Sequence, residues 1–402
     1  GEVIVTRLYD DLNRLTNISA SSGTSVVNSF SYMLDSTGRR TARQDADGAR
    51  LDWGYDTFDQ LTSAGRTNGP NGAADAAYKY QYQYDLVGNR RHEDRGQMDL
   101  DGTFNPLNQL THLGWGGKLD ILGAVGASNA AVLVQSVTNA PPFWQETNWL
   151  GGATISAGSN LIPIVTWQGT NATSTNLVVN MPPTNPQKLL WDRNGNLTND
   201  GFRVYAWDEE NRLTAVEGVA LSSPKRRSEF LYDAQSRRNQ RKDLSGWNGS
   251  AYATTNTTRY VWDGWNLLAE MTVSNTIAAY HAWGLDLSQT LQGAGGIGGL
   301  LARGEGTSAY SFCFDGNGNV SDVVDSSGSI VARYEYDPFG RQVSAYGSYA
   351  SANTWRFSTK QHDDCWGLYY YGRRYLQTET GRWLSRDPIG ELAFQSRYWE
   401  QF

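Results

Sequence analysis

One short unit recurs along almost the whole chain: an aromatic residue, Asp, two or three residues, Asn or Gly, Arg, then an apolar residue and often Thr. It reads "YDDLNRLT" at 9, "LDSTGRRT" at 34, "YDTFDQLT" at 55, "YDLVGNRR" at 84 and "FNPLNQLT" at 104. After a gap it resumes as "WDRNGNLT" at 191, "WDEENRLT" at 207, "YDAQSRRN" at 232, "WDGWNLLA" at 262, "FDGNGNVS" at 314 and "YDPFGRQV" at 336. A unit repeated at such spacing cannot bury its own apolar face, so stacked neighbours must supply the core. The chemistry of the unit specifies a hairpin turn. The aromatic ends a strand, and the Asp carboxylate can bond the backbone two residues on. Asn or Gly tolerates the positive φ of a tight reversal, and the apolar residue starts the next strand.

Between units the sequence alternates, as in "YKYQYQYD" at 78 and "RYEYD" at 333, the period of a half-buried antiparallel strand. No segment carries a persuasive helical period. The composition agrees: 43 Gly, 22 Tyr and 15 Trp in 402 residues, with 19% charged, favour sheet over helix. The expected fold class is all-β: a spiralling antiparallel ribbon of hairpin repeats with a small inserted β-sandwich. That insertion is the gap at 113–187, where "GSNLIPIVTWQGTNAT" and its neighbours lack the unit but keep short alternating strands between Asn, Gly and Pro turns. A net charge of −7 argues against nucleic acid as a partner, and no run of apolar residues is long enough to span a bilayer. Cys313 and Cys365 form no disulfide framework or zinc spacing; they read as structural thiols, with one long-range disulfide as the alternative. The chain opens on "GEVIVTRLYDDLNRLT", already inside a motif, and is expected to be an internal or processed segment of something longer.

These units resemble the YD repeats of RHS and teneurin-like proteins. From 334 to 391, "YEYDPFGRQVSAYG" and "WRFSTKQHDDCWGLYYYGRRYLQTETGRWLSRDPIGE" resemble the RHS repeat-associated core module. The "GSNLIPIVTWQGTNAT" stretch is similar to immunoglobulin-like modules inserted in some RHS-type chains. The resemblance implies YD repeats over 1–112 and 188–333, the inserted module over 113–187, and the core module over 334–402. It implies a hollow β shell, plugged by the core module and holding a C-terminal toxin polypeptide, in a secreted or cell-surface bacterial protein. The partners implied are that polypeptide cargo or the rest of the parent chain. About eleven units are too few to enclose a large cavity, so the segment is expected to be part of a larger shell. The alternative is a surface adhesion or carbohydrate-binding repeat protein without cargo, whose partner would be a glycan.

Four stretches could carry chemistry. "LQGAGGIGGLLARGEG" places Gly293, Gly295 and Gly298 in dinucleotide-turn spacing, with Asp315 about twenty residues on, where a ribose-binding acid would sit. A nucleotide site needs a buried strand before that turn and a helix after it. Here Gly284, Asp286, Ser288 and Gln289 interrupt the strand, Gly299, Gly304 and Gly306 break any helix, and Asp315 belongs to the repeat "FDGNGNVS". The expectation is no cofactor, with glycines that let two backbones approach or a sheet bend. Second, "SRDPIG" resembles half of the RHS self-cleavage site. This assigns Asp387 as a catalytic carboxylate beside Arg386, although the family's second D-P-x-G motif is absent from this sequence. The alternative is a turn in which Asp387 pairs with Arg386 or backbone amides. Third, "KQHDDCWG" gathers His362, Asp363, Asp364 and Cys365, but neighbours on a strand point to opposite faces, so no metal site is expected. His92, His112, His281 and His362 are too dispersed for a His-based site. Fourth, "GLYYYGRRY" and "NPLNQLTHLGWGG" could offer a stacking platform for a sugar. The plainer expectation is that Tyr369, Tyr371 and Tyr375 form cross-strand pairs, with Arg373, Arg374 and Arg382 stacked on rings or paired with acids.

Overall fold

The repeat unit is a carboxylate-capped turn. In the computed structural model, which describes residues 3–68, 72–125, 131–135, 137–138, 148–219 and 225–388, the first unit shows the pattern. Asp10 Oδ1 accepts the N–H groups of Leu12 (3.0 Å) and Arg14 (2.9 Å), and Arg14 Nε returns to Asp10 Oδ2 at 2.7 Å. Asn13 takes φ 58°, the left-handed conformation expected at that place. The same pair of carboxylate bonds recurs at Asp35, Asp85, Asp208, Asp233, Asp315 and Asp337. "WDGWNLLA" departs from the pattern: Asp263 pairs directly with Asn266 across a two-residue turn at Gly264 and Trp265.

The aromatic does more than fill space. Its polar tip reaches the carbonyl of the first strand residue after an earlier turn: Trp207 Nε1 to Leu197 O (2.7 Å), Tyr232 OH to Leu213 O (2.7 Å), and Trp262 Nε1 to Arg238 O (2.8 Å). Tyr336 does the same to Val320, and Trp283 reaches the carbonyl of Leu267, the second residue of its strand. At each of these aromatics the strand register slips by a bulge. The bulge frees a carbonyl, the ring's N–H or O–H satisfies it, and the ribbon coils at that edge.

The strands pair in chain order. Ten of them, from Val3–Tyr9 to Leu110–Gly117, form one sheet that Gln187–Lys188 completes as the eleventh; fourteen more, from Leu190–Trp191 to Gln342–Tyr346, form the second. Among the described residues there is no α-helix. Gln187 and Lys188 pair with Leu113 and His112, so the ribbon resumes on the strand from which it departed. In between, Leu119–Ala124 pairs with Asn148–Ala153, and Gly158–Gln168 with Asn171–Met181 and Ala131–Val134. These two small sheets share a core of Ile121, Val132, Val134, Trp149, Ile162 and Ile164.

The two large sheets face each other. Asn28 Nδ2 donates to Ser321 Oγ and Asp322 Oδ2 (both 2.7 Å), Arg66 pairs with Glu335, and Tyr78 OH donates to Tyr336 O at 2.9 Å. Between them lies a cleft of about 1030 Å³, walled by Phe30, Tyr55, Asp322 and Tyr334 among others. A second, of about 550 Å³, opens where both large sheets, the insertion and the C-terminal region meet. Both are the size of small-molecule pockets, well short of a folded domain.

Candidate functional site

The last small sheet, Gln361–Asp363, Leu368–Tyr370, Tyr375–Gln377 and Arg382–Trp383, is pressed into the ribbon, and the seam it makes concentrates the buried polar chemistry of the chain. Arg238 is the clearest case. Its guanidinium lies between the Tyr260 ring (4.7 Å) and the Tyr370 ring (4.3 Å), and its Nη2 donates to Gln361 Oε1 at 2.8 Å. His281, buried in the ribbon, accepts the Trp355 indole N–H at Nε2 (3.0 Å), with Arg303 Nη1 at 3.2 Å. Burial, and then the Arg303 charge, push the imidazole down to about 3, which keeps it a neutral acceptor.

The glycine loop belongs to this seam. Trp283 pairs with Leu300, so residues 284–299 are an excursion between two adjacent antiparallel strands rather than a strand-to-helix turn. Asp286, 1% exposed, fills the cradle itself: its carboxylate accepts the N–H groups of Ser288 (2.9 Å), Ala294 (2.7 Å) and Gly296 (3.1 Å), plus the Ser288 hydroxyl (2.6 Å). An anion is held there, and it is the chain's own. The glycines serve close approach and do not bend a strand: a Cβ on Gly318 would lie 3.0 Å from the Gly298 nitrogen. Asp315 caps its repeat turn through Asn317 and Asn319.

Thr359 bolts the loop down. Its hydroxyl accepts from Gly298 N–H and donates to Gly318 O, both at 2.7 Å. Ser358 N–H meets Asn319 Oδ1 at 2.8 Å, and Lys360 Nζ meets Gly295 O at 2.5 Å. Burial lowers the Lys360 ammonium to about 8, with Asp286 opposing the shift. Ser358 and Thr359 both sit at positive φ (50° and 51°), uncommon for serine and more costly for a β-branched residue. Three separate contacts hold that strain in place.

The sequence assigned no site role to Thr359, Lys360 or Arg238, and Asp286 figured in it only as an interruption of a strand. Only Asp286 carried a readable signal, an Asp ahead of Ser and a glycine run. The residues it did single out behave as follows. Asp387 is half exposed and pairs with Arg374 Nη2 at 2.7 Å, while the Arg386 side chain lies over Gly195, where a Cβ would come within 2.5 Å of its Nε. Beside the alternatives of Arg386 or backbone amides, Asp387 thus has an ion pair with Arg374. His362 and Asp364 alternate onto one face and grip Arg356, whose Nη1 lies 3.0 Å from His362 Nδ1 and 2.7 Å from Asp364 Oδ1. Asp363, on the other face, holds Arg241 at 3.0 Å. Cys313 and Cys365 are free thiols, so the alternative of a long-range disulfide does not hold.

The tyrosine register also differs from expectation. Tyr370 opposes Tyr375, and Tyr369 opposes Leu376; Tyr371 lies beyond the strand and packs edge-on to Trp383 at 4.9 Å. Tyr369 and Tyr375 are buried, so neither offers a face to a sugar. Arg373, Arg374 and Arg382 do stack, but on Trp265, Trp383 and Phe104 rather than on the tyrosine run. Two of those rings belong to the ribbon, which clamps the small sheet from both sides.

No family model matches the chain. Over 216 residues, 54% of its length, it is 30% identical to the tRNA3(Ser)-specific nuclease WapA of Bacillus spizizenii and spans 8% of that protein. Over the same length it is 27% identical to the tRNA nuclease WapA of Bacillus subtilis, again spanning 8%. Over 72 residues, 17% of this chain and 7% of the other, it is 46% identical to toxin subunit YenC2 of Yersinia entomophaga. Among solved structures, a TcdB2–TccC3 complex superposes on 97% of this chain and 20% of its own, at 17% identity and a TM-score of 0.41.

Proposed function

This chain is a bacterial RHS repeat protein related to the WapA proteins, and on that premise we propose that it is a wall segment of a hollow β shell whose C-terminal sheet closes one end. The shell would enclose or present a polypeptide belonging to the same parent chain, outside the bacterial cytoplasm or at the cell surface. The observation that carries this reading is the way one ribbon forms two facing sheets and is then stopped by the small sheet wedged against it through Arg238, Thr359 and Arg356. The two clefts left inside are too small for a folded cargo, which agrees with a segment that closes a cavity built by further repeats. The boundaries 1–112, 113–187, 188–333 and 334–402 are part of the same proposal. So is Asp387, held by Arg374, as one carboxylate of a self-processing pair; the second would come from outside the described residues.

The test is protease protection in the parent protein. The polypeptide that adjoins this segment is expected to resist digestion until the seam is broken by Thr359→Ala with Arg238→Ala. Equal digestion in both forms would overturn the wall reading. Intact mass of the parent, with and without Asp387→Asn, tests the processing step separately: a cut that survives the substitution removes Asp387 from it.

A further inference from the structure

The 550 Å³ cleft lies where four pieces meet: the strand Met98–Phe104 with its neighbours, the end of the insertion at Asn180–Pro182, the second large sheet at Arg203, Gly218 and Val343, and the C-terminal region with Trp366 and Glu379. Its wall is mainly apolar, with Met98, Leu100, Leu113, Leu119 and Leu122 on one side and Trp366 on the other. A pocket of this size and lining, with a few polar groups converging on it, has the form of a binding site.

The polar groups are only partly used. Glu379 is bound at one oxygen, Oε2, by Arg95 Nη1 at 2.9 Å, and its side chain keeps 59% of its surface open. Arg203 spends Nη1 on Asp200 (2.9 Å) and Tyr205 OH (3.3 Å). Arg341 spends Nε on Asp337 and Nη2 on Tyr80 OH, both at 3.1 Å. Among the described residues, Arg203 Nη2 and Arg341 Nη1 find no acceptor, yet they are not sealed from solvent. The cleft therefore offers both guanidinium donors and a carboxylate acceptor above an apolar floor. Each arginine is already paired with an acid, and Asp120 and Glu379 line the cleft beside Arg95, Arg203 and Arg341, so neither a bare anion nor a bare cation gains much there.

A ligand that suits this is neutral overall, donates and accepts along its length, and carries large apolar groups. We infer that the cleft binds an extended peptide segment with large apolar side chains, its carbonyls taken by Arg203 and Arg341 and an N–H by Glu379. This goes beyond the wall role and stands on the cleft's own geometry, so it survives if the protease experiment fails.

Cys365 lines the same cleft and gives the assay. The chain has two cysteines, of which Cys313 is fully buried and Cys365 is accessible. Alkylation of Cys365 by iodoacetamide would be followed by mass spectrometry with acetyl-Leu-Phe-Leu-Phe-amide or acetyl-Ser-Asn-Ser-Asn-amide present. The apolar peptide is expected to slow alkylation by about tenfold at saturation, the polar one not at all. Leu122→Glu, at a 42% exposed position and with retention of fold checked by circular dichroism, is expected to weaken the protection by about tenfold. No protection, equal protection by both peptides, or full protection in Leu122→Glu would each overturn the inference.

Discussion

The turn at Asp208 and the loop around Asp286 use one carboxylate to satisfy several backbone N–H groups, but they are held by different things. Asp208 bonds Glu210 and Arg212, four residues away at most, and Arg212 Nε closes the ring at 2.7 Å in partial contact with solvent. Asp286 is buried, reaches ten residues along the chain to Gly296, and lies under Lys360 and Thr359 from the short 3-10 turn ahead of the C-terminal sheet. The first is a local device that any stretch of the ribbon can carry. The second is an assembly, complete only when the C-terminal sheet has docked. Stability in the ribbon is thus spread over many small turns, while the seam concentrates it in a few buried groups.

The sharpest way to break this contrast is to remove each carboxylate. Asp286→Ala would strand three backbone N–H groups, that of Gly296 at a buried bond, and is expected to cost about 4 kcal/mol in urea unfolding. Asp208→Ala leaves groups that water can reach and should cost about 1 kcal/mol. Similar losses at the two sites would show that the seam is no more cooperative than the ribbon.

Acid should distinguish the two regions next. The folded pKa of His281, about 3, lies below its ordinary 6.5, so the unfolded chain binds the extra proton between those values and stability falls as pH drops through that window. The loss is expected to reach about 3 kcal/mol by pH 4. Turn carboxylates such as Asp10, Asp85 and Asp233 are shifted downward, against the burial that would raise Asp85 and Asp233, by bonds to their own turns, and they lose their stabilising charge only in stronger acid. Near-ultraviolet dichroism of the Trp355 environment should therefore change before far-ultraviolet sheet signal is lost, and His281→Gln should flatten the slope between pH 4 and 6.

The smallest effect separates two glycines of like conformation. Gly298 (φ +74°) has Leu287 Cδ2 3.3 Å from where a Cβ would sit, whereas Gly23 (φ +57°) has nothing within 4 Å. Gly298→Ala is expected to cost about 2 kcal/mol and Gly23→Ala about 1 kcal/mol, read as midpoint shifts in thermal unfolding.

What was legible in the chain follows the same division. Tyr, Asp, Asn and Arg at short spacing disclosed the turns, because every bond involved joins residues within four positions. Turns at the opposite edge of the ribbon, at Asp45 with Gly48 and Asp325 with Gly328, use the same backbone geometry without the flanking aromatic and so escaped notice. At the seam, reading neighbours along the chain misled. Tyr371 was expected in a cross-strand pair that Tyr370 makes instead, and the ion pair of Asp387 with Arg374 was not foreseen. A register slip of one residue is invisible in a run of three tyrosines, since each is equally fit to face the core.

The amino-acid sequence alone therefore determined the β ribbon and the carboxylate-capped turns, since those depend on local bonding and on alternation. The tertiary structure decided that Asp286 rather than a ligand fills the glycine cradle, that Arg356 occupies the space between His362 and Asp364, and that Arg203, Arg341 and Glu379 converge on one cleft. The cleft joins residues tens to hundreds of positions apart and the other two join residues ten apart or fewer, but in all three a charge or N–H finds its partner only where the fold brings one within reach.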